Sequence, residues 1–277
     1  MEKLKKIIAT FRASRQLATE DEILNVAREY LQILILKMIY QSRQGAALSF
    51  MGGTCLRLCY DLKRYSEDLD FCLDLPSKDY RFPDLMRLLE RETGLLGFSV
   101  RATAKEEKTV QKGFLKISDL GEGLQLKGFR REQKLHIKLE VDTHPPHLKK
   151  LGRESFFVNR YSEIYPILKQ TLPTLFAGKV LAILQRPFTR GRDYYDLIWY
   201  LGRKTPLDLD YLNRGLREKK LVDSQAVSVA LEEKVASFDA KMILKDIGHF
   251  LEDPAEENWI QRYGEVFEQL KTNLHTT

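Results

Sequence analysis

Asp68 and Asp70 stand two positions apart inside an apolar run, Asp68-Leu69-Asp70-Phe71. In a β-strand, side chains at i and i+2 share a face, so the two carboxylates project side by side while Leu69 and Phe71 turn to the core. Neighbouring carboxylates repel, and folding alone gives no reason to hold them close in partly buried surroundings. A divalent cation removes the objection, because Mg²⁺ takes hard oxygen ligands. A short way upstream, Ser49-Phe50-Met51 runs into Gly52-Gly53-Thr54. A glycine turn that opens a helix aims backbone N–H groups at a phosphate. The pair of features reads as a metal-plus-nucleotide site. A solvated edge strand is the plain alternative for the two aspartates, and the bulky apolar residues beside them weigh against it.

A second strand sharpens the constellation. Lys134 to Asp142 alternates polar and apolar residues over its whole length, with Leu135, Ile137, Leu139 and Val141 on one face and Lys138, Glu140 and Asp142 on the other. Three carboxylates around two ions about 3.5–4 Å apart is the arrangement used for in-line phosphoryl transfer. Asp142 is the expected third ligand, with Glu140 as the alternative.

The elements that must position these residues follow from the pattern of the chain. Thr19-Glu20-Asp21-Glu22 marks a helix start, with Thr19 as N-cap and acids in the first turn, and helical spacing runs on to Gln41. Residues 48–51 read as a strand, Gly52-Gly53 as its exit turn, and 54–60 as the helix that follows. Residues 68–73 form the next strand and 81–94 another helix. Strands are expected at 98–103, 114–118 and 124–129. Beyond residue 170 the period becomes helical, with helices at 173–185 and 192–201 and at least three more after them. The expected fold is α+β, a mixed sheet with flanking helices plus a C-terminal helical bundle. The expected boundaries are an N-terminal helical segment at 1–46, an α/β core at 47–168 and a helical domain at 169–277.

The 277 residues are 43% apolar and 30% charged, the composition of a chain with a real core and not of a disordered one. A net charge of +6 is compatible with an anionic partner without demanding one. The three cysteines, Cys55, Cys59 and Cys72, read as small buried apolar groups in a reducing cytoplasm; a disulfide framework needs an even, spaced set. The first residues lack a signal-peptide pattern, and the apolar run near 31–40 is broken by Gln32 and Lys37, so no membrane contact is expected. His144 and His147 flank Pro145-Pro146 without a cysteine nearby, too sparse a set for zinc. Arg130-Arg131 and Lys149-Lys150 suit either RNA phosphates or solvated loops.

Gly52-Gly53-Thr54 followed by Asp68-Leu69-Asp70 resembles the signature of the DNA polymerase β-like nucleotidyltransferase superfamily. The longer stretches, Phe50 to Leu56 and Arg64 to Phe71, resemble the AbiEii/MenT nucleotidyltransferase toxins of type IV toxin–antitoxin systems. Ala177-Gly178-Lys179 and Gly191-Arg192-Asp193-Tyr194-Tyr195-Asp196-Leu197 resemble later motifs of that family, in the family's order. Thr54 stands where serine is usual.

The resemblance implies a polymerase β-like core and a Mg²⁺-dependent enzyme. It would move a nucleoside monophosphate from an NTP to an acceptor, the 3′ end of a tRNA, with an antitoxin as partner. It implies that Gly52, Gly53 and Thr54 cradle the triphosphate, that Asp68 and Asp70 hold the metal, that Lys179 neutralises phosphate charge and that Asp196 orients Lys179 or takes part in catalysis directly. Arg64 and Ser66 are candidate nucleotide contacts. Asp193 reads equally well as a helix-capping residue. The competing readings are a non-catalytic nucleotide- or RNA-binding protein and a nucleotidyltransferase acting on a protein or small-molecule acceptor.

Overall fold

The computed structural model describes residues 1–14, 19–73, 80–106, 109–124, 126, 134–146, 152–216, 220–237 and 239–277. Arg130-Arg131, His147 and Lys149-Lys150 lie outside that set, as does most of the strand expected at 124–129. The chain divides into two compact units. The first comprises Met1–Tyr60, Tyr65–His144 and Ser155–Lys169, and the second comprises Asp61–Arg64, Pro145–Glu154 and Gln170–Thr277.

The first unit opens with helices α1 (Glu2–Ala13) and α2 (Glu20–Gln41). Thr19 caps α2 as its sequence implies: its hydroxyl accepts from the Glu22 N–H while the Glu22 side chain reaches back to the Thr19 N–H. Ile33, Ile35 and Leu36 of α2 are fully buried. The chain then forms β1 (Leu48–Met51), α3 (Gly52–Tyr60), β2 (Asp68–Leu73) and α4 (Phe82–Leu95). It continues through β3 (Val100–Lys105), β4 (Val110–Ile117), the single turn α5 (Leu120–Gly123) and β5 (Leu135–Asp142). A hairpin of β6 (Arg153–Arg160) and β7 (Glu163–Gln170) completes the sheet, turning through Tyr161 and Ser162, both at positive φ.

The seven strands lie in the order β3-β4-β5-β2-β1-β7-β6. β2 is central; it runs antiparallel to β1 and parallel to β5. The β5 alternation appears as written in the sequence, with 135, 137, 139 and 141 buried. The α4 face of the sheet closes against Gly113, where a side chain would collide with Met86 and Phe82.

Several boundaries differ from the sequence expectation. β3 and β4 occupy 100–105 and 110–117 in place of 98–103 and 114–118. The β6–β7 hairpin had no expected counterpart, because Phe156-Phe157 and Ile164-Tyr165-Pro166 blur its alternation.

The second unit is helical: α6 (Leu172–Gln185), α7 (Gly191–Gly202), α8 (Leu209–Gly215), α9 (Ser224–Ala236), α10 (Ala240–Ile247), α11 (Glu257–Ile260) and α12 (Tyr263–Leu270). α7 lies among α6, α10 and α12. Phe176 stacks on Tyr200 at 4.4 Å, and the Tyr263 hydroxyl donates to the Tyr194 carbonyl at 2.9 Å. Residues 61–64 join this unit through a bridge between Arg64 and Leu251. No described helix is long and apolar enough to cross a membrane.

Candidate active site

In the sheet unit the site is built where β1 ends. Met51 pairs with Asp70 of β2, and the next residue, Gly52, takes φ +78° and opens α3 directly, without a separate turn. Two facts require glycine there. L-residues resist a positive φ, and a Cβ would lie 2.9 Å from both Cβ and Cγ of Asp70 and closer still to Oδ2. The peptide backbone that starts α3 is therefore pressed against the Asp70 carboxylate. Thr54 is fully buried, and its hydroxyl donates to the Asp68 carbonyl, so it fastens the first turn of α3 to β2. A hydroxyl whose proton is so placed acts as a fastener between α3 and β2.

Asp68 and Asp70 alternate with the fully buried Leu69 and Phe71, as the spacing predicts. On β5 the register sets Lys138 beside Asp68, Glu140 beside Asp70 and Asp142 beside Cys72. Glu140, paired with Lys138 at 2.8 Å, is thus the acid next to the aspartate pair. Asp142 lies one step further along, and its Oδ1 accepts from the His144 N–H at 2.9 Å, closing the turn after β5. Burial pushes the Asp142 carboxyl above its ordinary pKa, and that N–H only partly offsets the rise. Among the described residues, no group of three or more acidic, histidine or cysteine side chains converges as a ready metal cage. Mg²⁺ does not require one: it is commonly bound by one or two carboxylates, with waters and substrate phosphates completing six positions. Two same-face aspartates beside a helix N-terminus fit that pattern.

The far part of α3 is held by a buried ion cluster. Arg57 Nε donates to Glu29 of α2 at 2.7 Å, both side chains being 2% exposed. Glu29 also accepts from the Tyr161 hydroxyl at 2.7 Å and from Arg160 Nε at 3.1 Å. The Arg57 guanidinium lies over the Tyr65 ring, 4.4 Å from its centroid. Burial, reinforced by the Glu29 charge, drives the Tyr161 hydroxyl far above its ordinary pKa, so it stays protonated as a donor. Gln32 donates to the Ser66 carbonyl at 3.0 Å, fixing the segment that leads into β2.

In the helical unit, Asp196 is fully buried on α7 and receives both arms of the Arg64 guanidinium at 2.7 Å each. Lys179 of α6 contacts Asp196 at 2.8 Å and Asp193 at 2.7 Å, and Asp193 also receives Arg186. Burial pushes the Asp196 carboxyl up, but Arg64 and Lys179 outweigh it and hold the pKa below the ordinary carboxylate value. Burial lowers Lys179 from 10.5 to about 8, only partly countered by Asp196. Two expectations change here. Arg64, 1% exposed and matched bidentately to Asp196, is an internal anchor of the helices, and that pairing occupies the guanidinium expected at the nucleotide. Asp193 is a buried partner of Lys179, where capping was the competing reading. Sequence spacing could not reveal the Arg64 pairing, because Arg64 is more than a hundred residues from Asp196.

Several solved structures share the fold. JHP933 from Helicobacter pylori matches over 92% of this chain and 96% of its own, at 15% identity and a TM-score of 0.54. MenT4, a nucleotidyltransferase toxin from Mycobacterium tuberculosis H37Rv, matches over 96% of this chain and 90% of its own, at 14% identity and a TM-score of 0.54. No curated protein matches the sequence. The model of the nucleotidyl transferase AbiEii toxin family, type IV toxin–antitoxin system, matches residues 34–276. That span takes in the glycine turn, the aspartate pair and the Lys179–Asp196 network, and the chain belongs to this family of nucleotidyltransferase toxins.

Proposed function

We propose that the protein transfers a nucleoside monophosphate from an NTP to the terminal hydroxyl of a tRNA 3′ end. The hydroxyl oxygen attacks the α-phosphorus, the bond from that phosphorus to the bridging oxygen breaks, and pyrophosphate leaves. The hydroxyl proton passes to solvent. The observation that carries this reading is the close approach of the Gly52 backbone to the Asp70 carboxylate, which sets a helix N-terminus beside the aspartate pair.

Asp68 and Asp70 would hold Mg²⁺, which when bound offsets the charge of the phosphate oxygens. Gly52 and Gly53 bring the backbone N–H groups of α3 to the phosphates, where the helix dipole favours anions. The register supports Glu140, in preference to Asp142, as the third carboxylate. Lys179, whose ammonium is held by Asp193 and Asp196, would be the point charge for a phosphate oxygen. Transfer to a tRNA end would block its use in translation, and this is the toxic effect that a cognate antitoxin would oppose in the cytoplasm.

Incubation of the protein with each radiolabelled NTP, Mg²⁺ and total tRNA tests the reading. Label is expected in the tRNA with at least one NTP and is expected to vanish in Asp68→Asn and Asp70→Asn. Absence of label with all four NTPs, or full labelling by both variants, would overturn it.

A further inference from the structure

The sheet face that carries Asp68 and Asp70 does not stop at β2. Directly paired residues of neighbouring strands share a face, so the register extends it outwards row by row. Asp68 neighbours Lys138, which neighbours Phe114. Asp70 neighbours Glu140, then Lys112, then Lys105. His136 neighbours Lys116. At about 4.8 Å per strand, Phe114 stands roughly 10 Å from Asp68 and Lys105 roughly 14 Å from Asp70. The opposite face of these strands is the buried one, with Leu115, Ile117, Leu135 and Leu139 inside. On the Asp68 face His136 and Lys105 are exposed, and Lys112, Phe114 and Lys116 are half-buried.

Charge and ring chemistry point the same way. The acids of this face on β5 are engaged, Glu140 by Lys138 and Asp142 by the His144 N–H. Beyond β5, the strands β4 and β3 carry lysines and no acid at any position, so the outer rows are positive. Partial burial, with Lys116 and Lys134 adding their charge, keeps the His136 ring below its ordinary pKa. Phe114 meets His136 edge-on at 6.4 Å, giving a pair of rings amid cations. A protein-binding surface is typically poor in lysine at its centre. An aromatic platform flanked by lysines suits a single strand, whose bases stack and whose phosphates pair.

We propose that this face, from Asp68 to the β3 edge, is the track of a single-stranded RNA 3′ end, with Phe114 stacking a base and Lys105, Lys112 and Lys116 pairing phosphates. The proposal rests on the acceptor being RNA, as in the reading above, and names the residues that would hold it.

Fluorescence anisotropy with a short fluorescein-labelled single-stranded RNA, over a series of salt concentrations, tests it. The double variant Lys112→Glu/Lys116→Glu should bind at least tenfold more weakly and flatten the log–log salt slope by about 0.7 for each phosphate left without its lysine. Phe114→Ala should lose about tenfold with the slope unchanged. Lys112→Arg/Lys116→Arg should restore binding, and thermal melting of every variant checks the fold. Wild-type affinity in the charge-reversed and Phe114 variants would overturn the proposal. So would a wild-type protein that ignores RNA, or that binds polyglutamate in its place through the same lysines. The two readings fail separately. If tRNA is labelled with unchanged KM in the variants, the track falls and the reaction stands. If RNA binds through this face but no NTP labels it, the reaction falls and the track stands.

Discussion

Gly52→Ala is the sharpest single test of how the site is built. Alanine at φ +78° costs about 1–2 kcal/mol in backbone strain alone. Its Cβ would lie 2.9 Å from Asp70 Cβ and Cγ, whereas ordinary contact begins near 3.4 Å, and the approach to Oδ2 is closer still. Relief requires Asp70 or the first turn of α3 to move by at least half an ångström, and about an ångström where Oδ2 is concerned. Strain of that size lowers Tm by roughly 2–8 °C in a domain of this size, at about 2–4 °C per kcal/mol. Misplacement of about 1 Å at a reacting centre costs on the order of 10²-fold in rate. The variant should therefore remain folded, by circular dichroism and melting, while labelling of tRNA falls about a hundredfold. Ser49→Ala, further back on the same strand, controls for simple disturbance of β1. A Gly52→Ala protein with wild-type rate and Tm would refute the reasoning, since it would mean that neither the positive φ nor the contact with Asp70 constrains the site.

Three further outcomes follow from the geometry. Glu29→Gln removes the carboxylate charge paired with the buried Arg57; such changes cost about 3–5 kcal/mol, so Tm should drop by roughly 10 °C, and an unchanged melt would show that α3 is anchored elsewhere. Lys179, with a pKa lowered to about 8, is charged below that pH and neutral above it. The transfer rate should accordingly fall as pH rises through about 8, and Lys179→Arg, charged throughout, should lose that falling limb; a flat wild-type profile contradicts the role of the charge. Glu140→Gln, at the register position beside Asp70, should lower the rate at saturating NTP far more than Asp142→Asn, which disturbs the turn at His144; the reverse order would return the third carboxylate to Asp142.

The sequence determined the local chemistry because that chemistry is written at short range. The i, i+2 spacing of Asp68 and Asp70 fixed their common face, and the alternation from 135 to 142 fixed the buried side of β5. The Thr19 cap and the helical period after residue 170 were legible for the same reason: each depends on neighbours within a turn. What the chain order could not state is which residues meet across it. The parallel pairing of β2 with β5 chose Glu140 as the neighbour of Asp70, a one-register decision made by the packing of the whole sheet. Arg64 resembles a solvated turn residue until the helices of its unit close around it and match its guanidinium to Asp196. By sequence Gly52 is one of two glycines in a turn, and only the approach of Asp70 from the next strand shows why that position tolerates no side chain. Local pattern names the candidate reactive groups, while long-range burial and register decide which of them stand together and which are buried in the frame.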